Sequence, residues 1–513
     1  MGGSLTTSCC DNKAVMTTRT AIFRVDASPG IGSGHVRRCL ALAEALAADR
    51  WGVVFACRAG TREVVPSLAR SAFAYRVVSV DRGGLASLHD LAPGGCDLLV
   101  VDHYGLHESY ERSCRAWAKQ ILVIDDLADR PHDCDILVDQ TPGRQARDYA
   151  GLVPGHCTVL AGSEFALLDP RFRQARERLR APIDEVQRVL VSFGGTDPAG
   201  ATVRALEALG VAKLGTAVDV VLGTVNDDIG RIRQLAAQLV PAATVHVAVD
   251  DMASLIARAD MAIGAGGVSA LERCCLGVPS LTITIADNQC KLANELAQSG
   301  ATEDIGPVTG LRGSDIADAV SRLASNAARR LAITAAAITI ADGLGAARVR
   351  AACSPAPLAK DARPVQLRLA TMADASLILE WQSTPGIRAY SRNPSAPRLA
   401  EHMRWMRNKL ADPRCIFHVI LHDANPVGIL RLDRQADGAY EISILVAAEA
   451  HNMNIGGAAL ELAKRLLPDV VIHAAIHSDN LASIRLFERS GYRRAGENWT
   501  LAPHSPTKSL ASL

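Results

Sequence analysis

From Ala21 onward, short apolar runs alternate with Ala/Leu-rich stretches, and this alternation constrains the fold more than any other feature of the chain. AIFRVDA reads as a strand, VRRCLALAEALAA as a helix and WGVVFAC as the next strand. DLLVVD, ILVIDD and DILVDQ follow, each apolar and each closing on acidic or amide residues. Strands with no in/out alternation need cover on both faces, which predicts βαβ units and a parallel sheet. A second series begins near Val186. QRVLVSFGG, AVDVVLG, ATVHVAV, MAIGAGG and SLTITIAD read as strands, with DMASLIARAD and VSALERCCLG as helices among them. Two successive α/β series of similar size predict two Rossmann-like domains, 20–160 and 161–352, facing each other across a cleft.

After a Pro/Ala-rich stretch, CSPAPLAKDARP (353–364), which reads as a linker, the pattern changes. LRLAT, FHVILHD, NPVGILRLDR and YEISILV are strands in close succession, with a turn at Asp423-Ala424-Asn425-Pro426. A helix GGAALELAKRLL, a strand VVIHAAI and a helix LASIRLFERSG complete an expected α+β domain over 365–505. A chain of 513 residues has room for three such units.

Composition narrows the partners. With 55 basic and 54 acidic residues the net charge is +1, without the basic excess expected of a nucleic-acid or anionic-membrane binder, so neither is an expected partner. Aromatics at 4% leave the cores to Leu, Val, Ile and Ala. Thirteen cysteines are scattered, none in Cys-x-x-Cys, and the adjacent pairs Cys9-Cys10 and Cys274-Cys275 suit neither a disulfide framework nor a zinc ribbon. They read as reduced, mostly buried thiols. The opening MGGSLTTSCCDNKAVMTTR lacks the apolar core of a signal peptide, Met16 is an alternative start, and no run of about 18 apolar residues occurs. The expected location is the cytoplasm.

The candidate chemistry lies in the glycine-rich turns. The first, Arg24-Val25-Asp26-Ala27-Ser28-Pro29-Gly30-Ile31-Gly32-Ser33-Gly34-His35, opens onto a helix at the carboxyl end of a parallel strand, where open α/β sheets bind ligands. His35 there is either a proton acceptor, its ordinary pKa being ~6.5, or a capping residue. Asp26 and Asp102 read as turn caps or partners of Arg24 rather than reacting groups. In the second series Gly194-Gly195-Thr196-Asp197 and Gly264-Ala265-Gly266-Gly267-Val268-Ser269 both follow strands, and the second opens a helix. Their amides and the Ser269 hydroxyl suit a diphosphate, and the lack of lysine in either loop argues against a P-loop NTPase. In Asp125-Asp126 and Asp250-Asp251, adjacent residues point to opposite faces, so no metal is expected.

The stretch RVDASPGIGSGHVRRCLALAEAL, with VVDHYGL, VIDDLADRPHDCDILVDQ, VSFGGTDP and GAGGVSALERCCLGVPSLTITIADNQ, closely resembles the UDP-2,4-diacetamido-2,4,6-trideoxy-β-L-altropyranose hydrolases of pseudaminic acid synthesis. These are relatives of GT-B glycosyltransferases such as the peptidoglycan GlcNAc transferase. The resemblance covers roughly 20–345 and implies two Rossmann-like domains in a GT-B arrangement. It implies that His35 is the general base for a water attacking the anomeric carbon opposite UDP, giving free sugar with inversion and needing no metal. Tyr104 is implied near that water, with a cleft-wall role as the alternative. Arg24, Gly34, Gly194, Gly195, Gly266, Gly267 and Ser269 are expected to bind the substrate. Glu272 matches the carboxylate that holds ribose hydroxyls, its other reading being a solvated first-turn glutamate. Asn288 and Gln289 match positions that contact the sugar.

The last third, about 366–501, resembles the GNAT-type N-acetyltransferases. His451-Asn452-Met453-Asn454-Ile455-Gly456-Gly457 stands where the family has its pyrophosphate loop, with His451 and Asn454 departing from the usual residues. Asn454, Gly456 and Gly457, with Asn480 and Ser483 of the run Asn480–Tyr492, are the implied acetyl-CoA contacts. Phe487 stands where the family often has a tyrosine that protonates the departing thiolate. Glu441 is read as the base for the acceptor ammonium, or else as a solvated strand-edge carboxylate. Acetyl-CoA is thus an implied co-substrate and a UDP-sugar the implied substrate. The combined expectation is UDP-sugar hydrolysis joined to acetylation of the 4-amino group of the UDP-sugar precursor. A sugar-transferring first module, or a non-catalytic C-terminal binding module, are the alternatives.

Overall fold

The structure, a computed structural model, describes residues 19–79, 84–179 and 184–503. Cys9, Cys10, Met16 and the last two residues of the expected third domain lie outside the described residues. The first series forms one wholly parallel sheet from β1 (Thr20–Val25), β2 (Gly52–Cys57), β3 (Ala74–Val77), β4 (Leu98–Asp102), β5 (Ile121–Ile124), β6 (Ile136–Asp139) and β7 (Thr158–Ala161). Its order is β3-β2-β1-β4-β5-β6-β7, so the chain reverses direction across the sheet between β1 and β4. The second is built from β8 (Arg188–Ser192), β9 (Ala217–Leu222), β10 (Thr244–Val247), β11 (Met261–Ala265), β12 (Ser280–Thr284) and β13 (Glu303–Pro307). It is again parallel, in the order β10-β9-β8-β11-β12-β13, and reverses between β8 and β11. These two lobes give the GT-B-like arrangement.

Burial explains the near-continuous apolar strands. Every residue of β4, β5 and β6 is buried, and separate apolar clusters cover the two faces of the first sheet. Helix Gly34–Ala48 packs Val36, Leu42 and Leu46, each 0% exposed, onto one of those faces. Losing one such leucine to alanine costs ~2–5 kcal/mol.

The third sheet is mixed: β14 (Val365–Leu369), β15 (Cys415–His422), β16 (Asn425–Arg434), β17 (Tyr440–Val446), β18 (Ile472–Ala474), β19 (Arg493–Ala495) and β20 (Asn498–Leu501). β14 to β17 meander antiparallel, and β17 pairs with β18 in parallel. The β15–β16 hairpin turns on Asp423 and Ala424 with φ of 50° and 64°, the positive values that a two-residue hairpin turn compatible with strand twist demands.

This C-terminal sheet is fixed to the lobes where the chain crosses between them. Helix Pro170–Arg176, on the outward crossing, carries Arg173, whose Nη2 donates to the Tyr440 hydroxyl at 2.8 Å. That hydroxyl donates in turn to Glu177 at 2.5 Å, and Glu177 also pairs with Arg434 at 2.7 Å. Helix Gly345–Ala352, on the return crossing, contributes Ala346 and Val349 to the core of the first lobe, while Leu344 just before it belongs to the core of the third sheet. The Pro/Ala-rich segment 353–364 is not a free tether. Ala359 is buried, Leu358 bridges to Pro364, and the Lys360 amide donates to the Met453 carbonyl at 2.9 Å.

The described cysteines form no disulfide, and most are buried. Cys134 and Cys157 lie 3.6 Å apart, sulfur to sulfur. Among the described residues no helix is long and apolar enough to cross a membrane.

Candidate functional site

His35 and Asp102 flank the reversal point of the first sheet, one just after β1 and the other at the end of β4. That is the crevice where parallel sheets bind ligands, because the two neighbouring connections leave in opposite directions. His35 Nδ1 lies 2.6 Å from Asp102 Oδ1. Arg38, one turn further along the same helix, clamps Asp102 from Nε and Nη2 at 2.6 and 2.7 Å and reaches Asp126 at 2.9 Å. Burial alone would raise the Asp102 carboxyl, but the Arg38 charge and the hydrogen bonds from Arg38 and His35 outweigh it and hold Asp102 well below the usual carboxylate range. Asp102 is therefore an ionised acceptor facing Nδ1, a nitrogen that Arg38 Nη2 also approaches at 3.0 Å, and an Nδ1–H tautomer is the one that satisfies the carboxylate. Nε2 has no hydrogen-bond partner among the described residues.

Tyr104 meets His35 edge to face, with ring centroids 4.7 Å apart, and its hydroxyl donates to Asp126 at 2.9 Å. Asn288 of the second lobe donates to the same hydroxyl at 3.3 Å, so the two lobes touch through a pair that sequence reasoning had singled out separately. Burial and the neighbouring Asp126 charge push the Tyr104 phenol up, keeping it a neutral donor. Arg24 is elsewhere: it is fully buried and forks onto Asp26 at 2.7 and 2.9 Å. Asp26 is held below the carboxylate range by His103, Arg24 and the Arg58 amide, all against its own burial. Gly34 opens the helix, and a Cβ built on it meets nothing within 4 Å, which leaves room above the turn.

The glycine loops of the second lobe also sit at a reversal point, after β8 and after β11. Gly194 has φ +90°, and a Cβ on Gly195 would come 3.2 Å from the Ser33 hydroxyl of the first lobe. Ser33, Arg37, Gly195, Gly223 and Thr224 line a void between the lobes. Asp197 is spent on structure, accepting from the Ala201 and Thr202 amides at 3.0 and 2.8 Å at the start of helix Ala201–Ala212. Helix Val268–Cys275 begins at Gly267 without a side-chain cap; the Ala270 amide donates to the Gly267 carbonyl at 2.8 Å, which leaves the Val268 and Ser269 amides for an acceptor. Gln289 lies against Gly267, its Nε2 3.4 Å from where a Cβ would stand. Gly266 is dictated by packing, since a Cβ would fall 2.9 Å from that of Ala293. Ser269 accepts from the buried Arg273 at 3.4 Å, and Arg273 also holds the Ala265 carbonyl at 2.8 Å. Glu272 is half-buried rather than solvated. Burial raises its carboxyl, and Arg37 of the first lobe partly offsets this. No group of three or more His, Cys, Asp or Glu side chains is poised around one point among the described residues.

In the third sheet Asn454 takes φ +64° as the residue before helix Ile455–Leu466, the left-handed backbone that its amide side chain tolerates. A Cβ on Gly457 would meet Asn454 Oδ1 at 2.8 Å, and one on Gly456 would meet Leu486 at 3.0 Å. Asn480 caps helix Leu481–Arg489 by accepting from the Ser483 amide at 3.1 Å. Phe487 is 3% exposed and packs edge-on against Tyr492 with centroids 4.8 Å apart, so its position belongs to the core. Glu441, on β17, is neither free nor solvated at an edge: a single nitrogen of Arg392, Nη2, donates to both its oxygens at 2.9 and 3.1 Å.

Sequence reasoning missed Arg38, Asp126 and Arg273, and ranked Asp102 as secondary. Arg38 carried one local signal: it follows His35 by three residues, hence on the same helix face. Nothing local marked Asp102, which reaches His35 only through the β1–β4 pairing.

The acetyltransferase (GNAT) domain profile matches residues 365–493. The UDP-2,4-diacetamido-2,4,6-trideoxy-β-L-altropyranose hydrolase of Campylobacter jejuni is 32% identical over 179 residues, 34% of this chain and 60% of that protein. A spore coat polysaccharide biosynthesis protein of Bacillus subtilis is 29% identical over 201 residues, 39% of this chain and 59% of that one. Both matches therefore span about three-fifths of the relative. An uncharacterized protein of Methanocaldococcus jannaschii is 22% identical over 484 residues, 91% of this chain and 96% of its own length. The chain thus joins a GT-B-like region, homologous to the altropyranose hydrolase and the spore coat protein, to a C-terminal GNAT acetyltransferase domain.

Proposed function

We propose that the two lobes hydrolyse a UDP-2,4-diacetamido-2,4,6-trideoxy sugar, of L-altropyranose configuration as in the relative's name, in pseudaminic acid synthesis. The C-terminal domain acetylates the 4-amino group of its UDP-linked precursor from acetyl-CoA, both in the cytoplasm. The observation that carries the reading is the His35–Asp102 contact at the reversal point of the first sheet, 2.6 Å long and backed by Arg38. In this scheme His35 Nε2 takes a proton from water as the water oxygen bonds to the anomeric carbon. The bond from that carbon to the UDP oxygen breaks on the opposite face, giving inversion. Asp102 keeps the imidazole in the right tautomer and stabilises the imidazolium. UDP is a stabilised leaving group, so neither a general acid nor a metal is invoked. The open amides of helix Val268–Cys275 and the Gly194-Gly195 loop receive the diphosphate, and Glu272 the ribose hydroxyls.

For acetyl transfer, the Asn454-Ile455-Gly456-Gly457 helix start receives the acetyl-CoA pyrophosphate and Glu441 accepts the acceptor's ammonium proton. The core position of Phe487 favours one competing reading, a C-terminal domain that binds without catalysis. His35→Ala is expected to retain UDP binding by calorimetry and lose most UDP release; near-normal turnover refutes the base assignment. Thiol release from acetyl-CoA with the UDP-4-amino sugar tests the second activity, and its absence while UDP is still released from the acetylated sugar leaves the binding-module reading standing.

A further inference from the structure

Arg392 sits in the segment between helices Ala375–Ser383 and Leu399–Ala411, which touches Glu441 near the start of β17 and His477 just after β18. The segment is tied down at two points. Arg388 Nε donates to the Asn393 carbonyl at 3.0 Å, and the Tyr390 ring lies 5.6 Å from that of His477. Between these ties Arg392 places one guanidinium nitrogen on both oxygens of Glu441, while 78% of its side chain stays open to solvent. Among the described residues Glu441 is the sole ionic partner of Arg392, and Arg392 the sole one of Glu441. In register with Glu441 stand His473 on β18 and Asp433 on β16, and Asp433 is already paired with Lys409 at 2.7 Å and Arg431 at 2.6 Å, so it offers no unmatched negative charge beside Glu441.

Charge balance then sets the acceptor. An amine entering as its ammonium must take the place of the guanidinium on Glu441, because one carboxylate cannot serve both fully. If the amine carries no other charge, the site is left with two cations against one anion. If the same molecule carries a phosphate, the released guanidinium gains a ligand that suits its planar fork as well as a carboxylate does. We infer that Arg392 is a specificity residue of the acceptor pocket, masking Glu441 in the free enzyme and moving to a phosphate oxygen of the acceptor when the ammonium arrives. The pocket therefore selects an amine that carries its own anion, and disfavours the same amino sugar stripped of its nucleotide. The inference rests on the acetyltransferase reading proposed above.

The test measures thiol release from acetyl-CoA by the full chain with two acceptors: a UDP-linked 4-amino sugar and the same amino sugar without UDP. Arg392→Ala is expected to raise KM for the UDP-linked acceptor about tenfold or more, the scale of one lost charge-assisted hydrogen bond. It is expected to lower KM for the nucleotide-free acceptor, since the competitor for Glu441 is gone. Arg392→Lys, which keeps the charge but not the fork, should fall between on both acceptors. Shifts of KM in the same direction on both acceptors, an unchanged KM for the UDP-linked one, or a loss confined to kcat would each overturn the inference. Thiol release that ignores Arg392 removes this inference alone. A wild-type chain that releases no thiol with either acceptor removes the acetyltransferase reading together with it.

Discussion

Replacing Asp102 by asparagine separates catalytic from structural electrostatics in the cleft. The amide keeps the shape but offers one neutral acceptor and one donor where Asp102 has two ionised oxygens shared by His35 and Arg38. If the amide nitrogen faces His35, the imidazole proton moves to Nε2, the nitrogen that must stay free. If the oxygen faces it, the imidazolium still loses its counter-charge. Either outcome lowers kcat for UDP release on the order of 10²–10⁴-fold with little change in KM.

The fold pays separately for Asp102→Asn. Arg38 is 2% exposed and keeps only Asp126, at 2.9 Å, as an anionic partner. Breaking a buried pair costs roughly 3–5 kcal/mol, and the surviving Asp126 contact places the loss near the low end, about 3 kcal/mol. The sign with pH follows from the depressed Asp102 carboxyl. Its contribution is present above the unfolded-state value of about 4 and fades as pH falls towards the lower folded value, so the gap between wild type and variant is flat from pH 5 to 8 and narrows in acid. Urea unfolding at several pH values and steady-state UDP release measure both effects. A folded variant with kcat within about fivefold of wild type would refute the role given to Asp102.

Two further outcomes are expected. His418 on β15 is 1% exposed, and its burial, with the charge of Arg348, pushes it down to about 3. The unfolded chain therefore binds a proton that the fold refuses, and stability falls as pH drops below about 6.5. His418→Leu should remove about 2 kcal/mol of the loss between pH 7 and pH 5, and urea titrations that stay parallel for the two proteins would contradict this. Tyr440→Phe strips the shared partner from Arg173 and Glu177, and should cost about 1–3 kcal/mol while leaving the Arg434–Glu177 pair in place. An unchanged urea midpoint would show that water replaces the hydroxyl.

The layered α/β architecture was legible because periodicity is a local signal that burial enforces. Ten strands of the first two sheets lie on apolar runs that read as strands, whereas the partly exposed β3, β7 and β13 carry too little apolar pattern to be read so; the left-handed Asn454 followed from its side-chain chemistry. What the chain order hid was pairing across sequence. Asp102 and His35 are 67 positions apart, and Asn288 meets Tyr104 across 184. Arg24 reads both as a substrate contact and as a partner of Asp26, and its side chain is engaged by Asp26. Composition marked 353–364 as a linker, and nothing local announced its hydrogen bond to Met453.

Helix Gly345–Ala352 is the return crossing of the lobes, and it inserts Val349 into the core of the first lobe while Arg350 donates to the Arg465 carbonyl of the C-terminal domain. A single helix thus answers to two apolar cores. Such a helix cannot melt for one without unsettling the other, so calorimetry should see the first lobe and the acetyltransferase domain leave the native state in one endotherm rather than two. The same sharing bears on gene fission: a cut at the Pro/Ala-rich segment would yield two fragments, each with an apolar scar, that need each other to stay in solution.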